Sequence, residues 1–181
     1  MKTITILLAA LAVLAAGTVR AGEFDFRRTY WGMFKEDVRE AEAETESEPF
    51  GYTETTLSFQ GEIAGVRAWI LYLFRDGGLD RGVYSIEPVD QETVVEAYRA
   101  VRSHLLDLHG DGAEEEMNLD EESELAGTLD PYNPDELLRL VLARAAAPMT
   151  TWYTDRSEIY LRLFEKDGRA AIQVDYLSRL E

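Results

Sequence analysis

The chain has no cysteine. That excludes disulfides, thiolate zinc sites, iron–sulfur clusters and a cysteine nucleophile, as well as the lipidated N-terminal Cys of a lipoprotein. Lysine is scarce too. Three of the 18 basic residues are Lys and the rest Arg, against 35 Asp and Glu. The formal charge of −17 repels nucleic acid and anionic membrane surfaces at long range, so neither is expected as a partner. Such an acidic excess also suits a protein living in high salt, where screening relieves self-repulsion.

Chemistry-bearing motifs are equally sparse. His104 and His109 are the only histidines. Five residues apart on one expected helix, they sit about 140° apart around its axis, which argues against a two-His metal site or a Ser–His pair confined to that helix. No Gly-x-Ser-x-Gly element, phosphate loop or dinucleotide fingerprint occurs. No catalytic or cofactor-binding residue is therefore assigned, no cofactor is expected, and the chain is read as a non-enzyme. A carboxylate-based hydrolase rests on the abundance of Asp and Glu alone, because glycosidase pairs are defined by spacing and pKa.

One apolar run stands out, Ile6 to Gly17, behind the basic start MKTIT and ahead of Thr18-Val19-Arg20-Ala21. Twelve residues are too few to span a bilayer, which takes about 20. Basic start, short apolar core and small residues describe a signal peptide over 1–21, cut between Ala21 and Gly22. Cleavage removes Lys2 and Arg20, leaving 160 residues at a charge of −19. The expected product is one soluble domain over 22–181, periplasmic or secreted, without membrane insertion.

Along the expected domain, Phe24 to Phe34 is aromatic-rich. Glu36, Asp37, Val38 and Ala41 suggest a short helix with acids in its first turn. Glu40 to Glu48 reads as its solvated end and a loop. Strands are expected at Tyr52–Phe59, Val66–Phe74 and Gly82–Ile86, with a hairpin turn at Arg75-Asp76-Gly77-Gly78. Val66–Phe74 is apolar on both faces, as a central strand covered on both sides would be. Asp90 would cap a helix over Gln91–His109, closed by Gly110. An acidic insert, 111–130, precedes Asn133-Pro134-Asp135-Glu136, a strong helix start. Pro148 would end that helix. Strands at Thr150–Thr154, Glu158–Phe164 and Ala170–Leu177 complete the chain. The expected fold class is α+β: an antiparallel sheet of about six strands from two pseudo-duplicated helix–βββ halves, helices packed on a face.

Phe26-Arg27-Arg28-Thr29-Tyr30-Trp31-Gly32-Met33-Phe34-Lys35-Glu36-Asp37-Val38 resembles the start of exported bacterial proteins of unknown function, whose pattern is Phe-Arg-x-x-x-Trp-Gly-Met-(Ser/Thr)-x-x-x-Val. Ile63-Ala64-Gly65-Val66, Trp152 and Asp175-Tyr176-Leu177 look like later features of that group. The Gly-Met-x-x-x-x-Val element is also similar, over about a dozen residues, to the opening of the SmpA/OmlA-type outer-membrane assembly lipoproteins. The resemblance implies a fold and an envelope address and supplies no catalytic residue. Phe34 stands where the pattern has Ser or Thr, so the first helix lacks a side-chain cap worth about 1 kcal/mol.

These readings converge on a non-catalytic binding or interaction module, whose partner is another envelope protein or a second copy. The alternative is a small-molecule or Ca²⁺-binding protein using the carboxylates of the insert, such as Asp111, Glu114, Glu115, Glu116, Asp120 and Glu124. No metal ligand is assigned, because the Glu required at the twelfth position of an EF-hand loop starting at Asp107 is Asn118.

Overall fold

The computed structural model describes residues 24–180 apart from 46, 88–90 and 121. The signal peptide read over 1–21, its cut site and the proposed cap Asp90 lie outside the described residues. The first helix, α1 (Lys35–Ala43), is followed by strands β1 (Glu48–Tyr52), β2 (Thr56–Ile63), β3 (Val66–Arg75) and β4 (Gly78–Ile86). A single 3₁₀ turn at Gln91–Thr93 leads into α2 (Val94–His109). Strand β5 (Glu114–Leu119), helix α3 (Pro134–Leu142) and strands β6 (Ala146–Tyr153), β7 (Ser157–Lys166) and β8 (Arg169–Ser178) follow.

All eight strands form one antiparallel sheet, ordered β1-β2-β3-β4-β8-β7-β6-β5. The expectation of about six strands from two helix–βββ halves is therefore incorrect. The halves are helix–ββββ and helix–β–helix–βββ, and they meet where β4 pairs with β8. The strands missing from the expectation are β1 and β5, both at sheet edges. Every residue of β1 is exposed, and β5 is exposed apart from half-buried Met117, so neither shows the alternation of a half-buried strand. Both edges are blunted against further pairing. Pro49 in β1 offers no N–H, and Glu114, Glu115 and Glu116 put three charges on β5.

Local chemistry explains the turns. Three hairpins close on two residues at positive φ, Ala64-Gly65, Asp76-Gly77 and Asp167-Gly168, the geometry that matches strand twist. Helix α1 has no side-chain cap at Phe34. For α3, Asn133 Oδ1 accepts from the backbone N–H of Asp135 and Glu136, and Pro134 occupies the first turn. That helix stops at Leu142, and Pro148 lies inside β6. Gly110, at φ 84°, ends α2 as expected.

Among the described residues all three helices lie on one face of the sheet. Val94, Tyr98, Val101 and Leu105 of α2, and Leu137, Leu140 and Val141 of α3, join one core with Ile70, Tyr84, Leu161, Ile172 and Val174. The segment before α1 crosses the same face. Phe26 lies edge-on to Tyr72 and Tyr84 and tilted against Tyr176, with ring centroids 5.1–5.2 Å apart. Beside it Glu42, with no exposed surface, accepts from Arg27 Nε at 2.8 Å and from the Tyr72 hydroxyl. Among the described residues no helix is long and apolar enough to cross a membrane.

Phe26 needs Gly82 beneath it. A Cβ there would stand 2.2–2.6 Å from the Phe26 ring. Gly82→Ala is expected to expel that ring from the aromatic cluster and cost about 3 kcal/mol, the upper end of overpacking penalties. Urea unfolding checks this; a loss below about 1 kcal/mol would show that Phe26 does not organise the core.

Candidate functional site

Strand β3 divides its apolar residues between two faces. Ala68, Ile70, Tyr72 and Phe74 are buried toward the helices, whereas Trp69, Leu71 and Leu73 are half-buried on the helix-free face. The sequence reading treated this strand as covered on both sides by helices or a partner. Among the described residues helices cover one side only.

Register places one row across the helix-free face as Leu71, Val83, Asp175, Tyr160 and Thr151. The rows beside it carry Trp69, Ser85, Gln173 and Arg162, and Leu73, Arg81, Leu177 and Glu158. Phe50, on the bulged edge strand, tilts against Trp69 with centroids 4.3 Å apart.

At the centre Asp175 is only 2% exposed. Its Oδ1 accepts from Arg81 Nε at 3.0 Å, and Oδ2 from Arg162 Nη2 at 2.6 Å. Gln173 Nε2 donates to both oxygens, at 2.9 and 2.8 Å. One carboxylate thus holds two guanidiniums that would otherwise repel each other. Both arginines remain about a third or more exposed, at 34% and 43% of their side chains. Arg162 Nε is buried without a hydrogen-bond partner among the described residues. The cluster carries a net positive charge on a strongly acidic chain and adjoins the Leu71–Leu73 stripe. This arrangement can seat a carboxylate set among apolar side chains.

The residues weighed for chemistry are scattered. His104 is half-buried on α2. His109 shares a 3.1 Å hydrogen bond between Nε2 and the Tyr176 hydroxyl. Burial, helped by the charge of His104, lowers the His109 pKa from 6.5 to about 4. The acidic insert contributes β5, where Glu115 pairs with Arg102 of α2. Among the described residues no three Asp, Glu or His side chains gather where they could hold a metal ion. Sequence reasoning missed Arg81 and Arg162. Their one signal is a basic residue on a strand beside apolar neighbours, and only pairing brings them to Asp175.

No known family model matches the chain, and no curated protein or solved structure shows significant similarity to it.

His109 sets a pH dependence. Its folded pKa lies below its unfolded value, so the unfolded chain binds the extra proton between about pH 6.5 and pH 4. This contribution is present above pH 6.5 and lost as pH falls through that window. His109→Gln is expected to flatten this part of the stability–pH curve, measured by thermal unfolding from pH 7 to pH 4. An unchanged slope in the variant would assign the acid sensitivity to other groups.

Proposed function

We propose that the chain is an exported, non-catalytic interaction module of the bacterial periplasm, or secreted from the cell, whose helix-free sheet face docks on another envelope protein. Supporting it above all is the one-sided helix layer, which leaves Trp69, Leu71 and Leu73 half-exposed beside Arg81 and Arg162. The partner surface is apolar and presents a carboxylate to the two guanidiniums. A second copy is the weaker fit, because two chains of this charge repel. The blunted edges turn association away from strand addition and toward the face. The export assignment draws on the signal peptide read over 1–21 and on the likeness of residues 26–38 to exported proteins.

The test is cross-linking of the tagged protein in its native envelope, wild type against Leu71→Glu, with thermal unfolding of both. The expected result is a partner recovered with the wild type and lost from the variant at unchanged unfolding temperature. A partner recovered equally from both, self-cross-links alone, or monomer alone would overturn the proposal.

A further inference from the structure

Helices α2 and α3 leave a crevice between themselves and the β5 edge of the sheet. Register sets its floor. Glu115 pairs with Thr150 and Met117 with Pro148, so these four side chains share the helix side, while Glu116 and Met149 alternate to the opposite face. Pro148 and Thr150 are short. Space of about 350 Å³ therefore remains between them, Tyr98 of α2 and Leu137 of α3. Arg99 and Arg102 of α2 and Tyr132, ahead of α3, frame the opening. The size is at the low end of cavities that hold small molecules.

Two observations select an occupant. Tyr98 and Thr150 are more than nine-tenths buried, at 7% and 2% exposure. Among the described residues their hydroxyls bond only to each other, at 3.5 Å, whereas a good O–H···O bond closes to about 2.8 Å. Buried hydroxyls joined so loosely keep capacity for a third polar partner. The second observation is charge. Glu115 is held by Arg102, and Glu116 belongs to the other face, but Arg99 donates to the Tyr132 carbonyl at 3.3 Å and has no ion pair among the described residues. The opening thus keeps one guanidinium that no carboxylate neutralises. At physiological ionic strength screening confines fields to about 8 Å, so this local charge outweighs the acidity of the whole chain. We propose that the crevice binds a small apolar carboxylic acid. Its body lies against Met117, Leu137 and Pro148, and its carboxylate accepts from Arg99 and from the Tyr98–Thr150 hydroxyl pair. The crevice is on the helix side and does not depend on the docking reading.

The probes are phenylacetate, phenylacetamide and phenethylamine, which share a body and differ in head charge, titrated calorimetrically at pH 7 in physiological salt. Phenylacetate is expected to bind saturably, one per chain. The neutral amide should bind about tenfold more weakly, the loss of one charged hydrogen bond, and the amine more weakly still. Arg99→Gln, at an exposed position, should bring the acid down to the affinity of the amide and leave the amide unchanged. The double variant Tyr98→Phe with Thr150→Val should weaken both by about tenfold without lowering the unfolding temperature, because deleting both partners of a poorly made bond is nearly neutral. Circular dichroism confirms that each variant is folded. The proposal is overturned if phenylacetate shows no saturable binding, if the amide or the amine binds as well, if Arg99→Gln keeps the preference for the acid, or if the folded double variant binds phenylacetate unchanged, which would leave the hydroxyl pair to a trapped water.

Discussion

Glu42 is a carboxylate with no exposed surface, and the first half of the molecule depends on its being paired. Burial alone would push its pKa up. Hydrogen bonds from Arg27, Tyr72 and Ser47 outweigh that and hold it below the ordinary carboxylate value. Arg27 also donates from Nη2 to Ser47 Oγ at 2.8 Å. Three pieces far apart in sequence are thereby joined: the entry segment, the end of α1 and the middle of β3. A buried pair of this kind adds little stability over an apolar substitute, but losing one partner strands the other charge. The uncapped helix α1 is held in place by tertiary bonds at its far end.

The same network lays the entry segment across the sheet. Phe26 covers Gly82, and Trp31 Nε1 donates to Ser157 Oγ at 3.0 Å, so the segment reaches from the first half of the sheet to the second. It stands in for a helix over the β4–β8 junction. Among the described residues it leaves the opposite face uncovered. The open face is thus a consequence of how a thin helix layer is spread over the strands.

Charge is distributed unevenly over that frame. Glu114, Glu115 and Glu116 lie on one edge strand, where they discourage pairing. At the centre of the helix-free face the balance reverses, because Asp175 gathers Arg81 and Arg162. Asp175 is affordable as a near-buried charge only with both arginines and Gln173 in place.

Local chemistry was legible along the chain wherever a short stretch decides its own conformation. Asp76-Gly77 and Asp167-Gly168 announce their turns, Asn133-Pro134 the start of α3 and Gly110 the end of α2, because φ preference and capping act within a few residues. The two-faced character of Val66–Phe74 was legible for the same reason. Strands β1 and β5 were not, since their pairing comes from neighbours and not from their own exposed, acidic or Pro-containing sequences. Nor was the strand count, nor the meeting of β4 with β8 that sets Arg81 beside Asp175. Those depend on contacts between residues as far apart in the chain as Arg81 and Leu177. Pairing over such distances is settled by which faces can be buried together, a choice that the tertiary structure alone makes.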